Sequence, residues 1–501
     1  MFLQDDWRIK KGLTLNLGLR WDYEAPQSER YNQMNAGFDS TSASPFKAPG
    51  LSLKGGLLFA DESNRLPFKR DLNNIQPRIG VAYQVTSKMV LRGGYGIMYL
   101  PTFDLGQSNG FSTSTTYVSS VDGGITPSGA LKNPYPSGID LPVGRSQGLA
   151  TLVGRGFTFG DPDRKIPYVH QFSFGLQYML PGRMVVEATY IGSRNRALQV
   201  SKAINEVSAD VYVQGSAVMN KLVTNPFQGL LPGTSYNGAT IVQSQLLRPY
   251  PQFGSITRAY VSIGQSWYDS FQMQLEKRLS HGLHLLASYT LAKSIEAVGY
   301  LNSQDDINNL AKVLTGVDAP QRFILSGSYE LPFLKNAKGV VSVFGGWKMN
   351  WIATFQSGLA VGTPSGAYST GISAKLPDGQ RTLDHWFNTC TLSLTGVRQN
   401  CISAEEAVAF TVQPSFTLRT LSTRFPDVRT ERAPQIDFSL FKAFRLYERM
   451  NLQFRVEAFN LTNTPWFAAP NTTLGGSAFG VVTKANANDP RNVQLALKLV
   501  F

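Results

Sequence analysis

The residues able to do chemistry are few, and their spacing suits little of it. Four histidines, His170, His281, His284 and His385, occur in 501 residues. His281-Gly282-Leu283-His284 spans a tight turn with no cysteine or acid beside it, so a solvated turn accounts for the pair better than a metal site. Asp161-Pro162-Asp163 and Asp305-Asp306 place carboxylates in loops, but without the ligand spacing and glycine of a calcium-binding EF-hand loop. There is no Gly-rich loop leading into Lys-Ser/Thr, no nucleophile elbow and no HExxH. No cofactor, metal site or catalytic constellation is expected, and the chain does not read as an enzyme. The two cysteines, Cys390 and Cys401, lie close together in a polar stretch. One small disulfide in an oxidising compartment suits them, with two free thiols as the alternative.

Composition narrows the class. Charged residues make up 16%, below the roughly 25% of soluble domains. Aromatics reach 11%, and 46 glycines favour a β protein with many turns. No apolar run approaches the roughly 18 residues of a membrane helix, which leaves a membrane β-barrel open, since half its strand residues are polar. The net charge of +13 raises nucleic-acid binding, but the Lys and Arg residues are dispersed, with no basic helix or aromatic RNA-binding motif. Neutralising anionic lipid headgroups is another use for them, and Phe68-Lys69-Arg70 flanks a strand start where that contact or plain solubility would serve.

The elements that would carry these residues alternate with a period of two. Leu13, Leu15, Leu17, Leu19, Trp21 and Tyr23 interleave with Thr14, Asn16, Gly18, Arg20, Asp22 and Glu24, apolar on one face and turning aromatic at one end, as an interfacial girdle requires. The last ten residues repeat the pattern: Val493, Leu495, Leu497, Leu499 and Phe501 against Asn492, Gln494, Ala496, Lys498 and Val500. Between them the motif recurs around residues 79–85, 91–99, 172–178, 186–190, 271–279, 283–291, 323–331, 347–355, 436–440 and 452–456, and 2–9 partners 13–23. About thirteen strands result. Short turns (Lys10-Lys11-Gly12, Thr86-Ser87-Lys88, Pro181-Gly182-Arg183, Ser280-His281-Gly282, Tyr447-Glu448-Arg449) alternate with long Gly/Asn/Ser/Pro-rich loops near 25–75, 101–166, 196–265 and 359–431. Short turns on one rim and long loops on the other mark an outer-membrane barrel; the loops of a soluble sandwich or propeller would not lengthen at every second connection. The fold expected is all-β, an antiparallel transmembrane β-barrel.

Opposite the apolar sets lie Arg20, Arg78, Arg92, Glu187, Glu276, Arg278, Arg322, Arg455 and Glu457. An Arg or Lys facing lipid near the midplane costs about 2–4 kcal/mol, so these side chains are expected to face a lumen. So many charges of both signs suit a wide one, watery or filled by another domain.

Particular stretches carry a family resemblance. Phe2-Leu3-Gln4-Asp5-Asp6-Trp7-Arg8, Leu13 to Trp21, Gln76-Pro77-Arg78-Ile79-Gly80, Val456 to Asn463 and Pro490 to Lys498 together resemble TonB-dependent outer-membrane receptors of the Oar-like type. That resemblance implies a barrel of about 22 strands closed by an amino-terminal plug, placed in the bacterial outer membrane among its lipids and lipopolysaccharide. It also implies coupling to the TonB complex and uptake of a bulky nutrient. Residues 1–501 then correspond to the carboxy-terminal part, about 13 strands, with signal peptide, TonB-box and plug lying elsewhere. Two unpaired edges, Phe2–Ile9 and Asn492–Phe501, are expected. Leu497, Leu499 and the terminal Phe501 resemble the signal read by barrel assembly machinery. Trp386 and Phe387, beside the cysteine pair, are candidates for a loop tip at the ligand face. A surface adhesion or structural barrel, and a passive porin, are the alternatives.

Overall fold

The computed structural model describes all residues except 104–105, 116, 118, 120–126, 128, 137, 233, 334–342, 378, 432–433, 448 and 484–486. Glu448, at the centre of one expected turn, is therefore outside the described residues.

Among the described residues, thirteen long strands follow one another in a single antiparallel sheet. They are β1 (Phe2–Lys10), β2 (Leu13–Trp21), β3 (Ile75–Thr86), β4 (Met89–Tyr99), β5 (Tyr168–Leu180), β6 (Met184–Ala203), β7 (Ile256–Ser280), β8 (Leu283–Ala297), β9 (Gln321–Glu330), β10 (Lys348–Gln356), β11 (Gln435–Tyr447), β12 (Met450–Phe459) and β13 (Asn492–Val500). Each pairs with the next in the chain, and β1 and β13 are the two ends of the order. The sheet is open, and both end strands are exposed along their whole length.

The tight turns owe their geometry to residues that accept positive φ. Gly12 sits at φ 84° and Gly282 at φ 80°, the latter preceded by His281 at φ 52°. A side chain in this left-handed region is strained, which is why glycine stands where a strand must reverse in two or three residues.

Register sorts the faces. One continuous row reads Leu13, Tyr83, Leu91, Leu176, Ala188, Met273, Tyr289, Phe323 and Phe355 across nine strands. The next row reads Thr14, Ala82, Arg92, Gly175, Thr189, Gln272, Thr290, Arg322 and Gln356. Since side chains alternate along every strand, the apolar row lies on one face and the polar row on the other. The apolar face is exposed, with Phe174 at 60% and Leu495 at 72%, an arrangement that only a hydrocarbon solvent tolerates at this scale.

Two strands are far longer than expected. The stretch 196–265, anticipated as loop, includes the end of β6 and the start of β7, whose pairing continues up to Thr257 and Ala203. Short strand Phe157–Gly160 joins β7 there in parallel. The long connections are folded as well. The hairpin Asn35–Ala43 and Lys54–Phe59 packs Phe38 and Leu57 against Phe157, Phe159, Tyr250 and Phe253. Asn205, fully buried, holds this unit together: its side-chain amide donates to the carbonyls of Tyr250 (3.0 Å) and Gly254 (2.7 Å), and its oxygen accepts the Tyr250 N–H (2.9 Å). A second unit, from residues 359–431 and 464–489, has its own core around Val361, Phe387, Phe410, Phe425, Phe479 and Val482.

Candidate lumen face and loop layer

The polar face collects the charged residues singled out in the sequence. Arg92 and Arg322 share the polar row traced above, and Arg78 lies four residues along β3 on the same face, with Gly175, Gln356 and Gly18 as their respective cross-strand neighbours. Glu187 lies between Gln177 and Gln274, and Arg455 and Glu457 face Ala496 and Gln494 on β13. Among the described residues, the ion pairs of this face include Arg20 with Asp22 (2.8 Å), Glu276 with Arg278 (3.9 Å) and Arg455 with Glu457 (3.4 Å). Among the described residues, the guanidinium groups of Arg78, Arg92 and Arg322 have no hydrogen-bond partner. A small barrel would interlock such side chains across its interior; here they stay available to water or to another polypeptide.

On β13, Val493, Leu495, Leu497 and Leu499 occupy the apolar face, and Phe501 is 90% exposed at its end.

Cys390 and Cys401 form a disulfide across eleven residues of sequence. The neighbouring aromatics are not at a tip. Phe387 is fully buried, with the rings of Phe425 and Phe479 each 5.4 Å from its own. Trp386 is 5% exposed, and its indole N–H donates to the Arg429 carbonyl at 2.7 Å. Phe387 therefore sits in the core of the loop unit and not at the loop tip expected from the sequence: two adjacent large aromatics in a polar loop supply a core for that loop. A cavity of about 270 Å³ opens beside Trp386, walled by Lys375, Arg381, Asp427 and Thr430, with the Arg381 guanidinium over the indole at 4.3 Å.

Ion pairs fix the loops to the strand tops. Asp318, 2% exposed, accepts from Arg429 (2.7 Å) and from the Ser294 N–H (2.7 Å). Asp161, anticipated as a solvated carboxylate, is buried and accepts from Arg258 at 2.8 Å. Lys69 meets Asp163 at 2.5 Å. Asp39 accepts hydrogen bonds from Ser42 and Thr41, which hold its carboxyl down at about 2. Burial pushes the Glu431 carboxyl up, and one of its oxygens lacks a partner among the described residues. His281 and His284 are on the short-turn rim and, among the described residues, belong to no shared ligand cluster; the group of Cys390, Cys401 and Glu406 contains the disulfide sulfurs.

The family described as an outer membrane beta barrel domain matches residues 1–494. Solved structures similar to the chain include the outer membrane transporter YddB from Escherichia coli (11% identity, TM-score 0.43, covering 100% of this chain and 53% of that one). They also include the ferric-catecholate import receptor Fiu from E. coli K12 (12%, 0.40, 100% and 44%) and the siderophore receptor PiuA from Acinetobacter baumannii (10%, 0.41, 99% and 42%). The chain thus spans about half the length of these proteins or less. No curated protein sequence matches it. With its lipid-compatible outer face, its alternation of tight turns and long loops, and a family match over nearly the whole sequence, the chain belongs to the outer membrane beta barrel family, a protein of the bacterial outer membrane.

Proposed function

We propose that residues 1–501 are the carboxy-terminal part of a TonB-dependent receptor barrel, whose loop layer binds a bulky nutrient and whose lumen passes it inward. The observation that carries this reading is the polar face: thirteen strands in an open sheet line it with charges of both signs, several of them unpaired. A lumen of that width needs a plug to avoid leaking, and a plug is what an energised receptor moves. On this reading the TonB complex is engaged through the plug, outside these residues. Lipopolysaccharide surrounds the apolar face, and assembly machinery reads Leu497, Leu499 and Phe501. Lys375, Arg381 and Trp386 are the loop-layer residues best placed to meet ligand.

The test is uptake in the native bacterium. Cells with and without the gene are given labelled siderophores, oligosaccharides and peptides, with and without a protonophore. Gene-dependent accumulation that the protonophore abolishes is expected. Gene-dependent flux that survives it would identify a porin. Unchanged uptake together with loss of surface attachment would identify an adhesion barrel.

A further inference from the structure

The outward face carries a second kind of chemistry at its loop end. On β7 the outward face carries Leu279, Leu275, Met273 and Phe271, interrupted by Lys277 near the short-turn end, over eight steps, or about 27 Å of strand and about 20 Å of height at the usual tilt. Above it the same face turns cationic. On β6 the outward positions after Tyr190 and Gly192 are Arg194 and Arg196. Arg194 is neutralised by Asp269 at 2.7 Å. Arg196, one outward position higher, is not: its guanidinium donates to the Asn195 carbonyl (2.9 Å) and lies 5.5 Å from the centre of the Trp267 ring. Lys312 covers the same ring at 4.7 Å.

Arg196 and Lys165 also line a recess of about 520 Å³ together with Tyr99, Tyr168, Asn73 and Gln265. The rings of Tyr99 and Tyr168 are 5.3 Å apart across the strands. Asp71, the acid in the recess, is engaged: its carboxylate accepts the Ile166 N–H at 2.9 Å. Lys165 and Lys312 are exposed, and neither makes an ion pair with a described residue.

From this geometry we infer that Arg196, Lys165 and Lys312 form a binding site for the phosphate of an outer-leaflet glycolipid. Position selects a lipid over a soluble anion. The recess opens on the lipid-facing side of the sheet, directly above the apolar band, where a headgroup phosphate sits while its acyl chains lie along Phe174, Tyr190 and Phe271. Arginine supplies paired N–H donors to phosphate oxygens, and two lysines add point charge. The aromatic rings stiffen the cations and give sugar faces an apolar surface. The site is independent of the lumen and would hold whether or not the barrel transports.

The experiment uses the full chain in nanodiscs, with bisphosphorylated lipid A as probe and native mass spectrometry as readout. Wild type retains lipid A, and its fully dephosphorylated form binds at least about tenfold more weakly. The triple variant R196A/K165A/K312A shows a comparable loss. The charge-preserving R196K/K165R/K312R, and the charge-matched K10A/K88A/R183A at the short-turn rim, retain the probe. Equal binding of phosphorylated and dephosphorylated probe in wild type, a comparison that needs no variant to fold, overturns the assignment. So does unchanged binding in the folded alanine triple. Millimolar inorganic phosphate displacing the probe from the site would mark a free-anion site and equally overturn the lipid assignment.

Discussion

Replacing Phe387 with alanine separates a loop with its own core from a loop whose aromatics reach for ligand. The ring is fully buried, touching Phe425 and Phe479 at 5.4 Å and Phe410 at 6.5 Å between centroids. Truncating a buried Phe costs about 3–5 kcal/mol in transfer and cavity terms, with each aromatic pair accounting for about 0.5–1.5 kcal/mol. The loss falls on the loop unit, because the barrel strands make their hydrogen bonds independently of it. At about 1.4 kcal/mol per factor of ten, the open population of the unit rises roughly a hundredfold to a few thousandfold. Limited proteolysis of the bilayer-embedded chain reads this directly when opening and closing are fast relative to cleavage. Cleavage within 359–431 should accelerate by that factor while the β5–β8 fragment stays intact. A change of less than about threefold, the size expected for an exposed side chain, would refute the buried core.

Three further outcomes follow from the same geometry. Met273→Arg places a guanidinium on the apolar row near mid-height and should destabilise insertion by about 2–4 kcal/mol, whereas the adjacent Gln274→Arg should be tolerated; heat-modifiable migration on gels compares them, and equal behaviour would mean the faces are misassigned. Removing the Cys390–Cys401 link, with its eleven-residue separation, should lower the stability of the loop unit by about 3 kcal/mol on the chain-entropy account, read by the same proteolysis in C390S/C401S. Glu431 has its carboxyl raised by burial, so the folded state favours the protonated form: the favourable contribution is complete below the ordinary carboxyl range and lost as pH rises through the raised value. Glu431→Gln should therefore stabilise the loop unit at neutral pH and make no difference near pH 4, within about a unit; a pH-independent difference in thermal unfolding would contradict this.

The barrel wall was legible because lipid imposes a rule on every second residue. Leu13 to Trp21 shows that contrast once Arg20 and Asn16 must avoid hydrocarbon, and most of the thirteen strands announce themselves by it, although Asp5 on β1 and Lys277 on β7 interrupt the apolar face. Above the membrane the rule lapses. The upper parts of β6 and β7, including Arg196 to Ala203 and Ile256 to Gly264, have water or protein on both sides, so their alternation vanishes and the sequence there resembles loop. The loop units failed to show for a related reason: their cores draw single residues from distant places, Phe387 from one connection and Phe479 from another, and no local period marks them. Trp386 and Phe387 stand beside the cysteine pair in a polar stretch, but that position alone does not distinguish a ring that faces outward from one folded under.

The length of β7 has a consequence for how a charged molecule first meets this protein. From Asp269, at the top of the apolar band, to Ile256 there are thirteen steps of strand, about 43 Å, or roughly 30 Å of height at barrel tilt. Subtracting the headgroup region leaves the strand tip roughly 25 Å outside the lipid surface. At physiological ionic strength the Debye length is about 8 Å, so the tip stands some three screening lengths away. At that distance the negative charge of the membrane is almost invisible. A solute arriving there is sorted by the potential of the loops themselves, and an anion that the bare bilayer would repel can be captured before it experiences the surface at all.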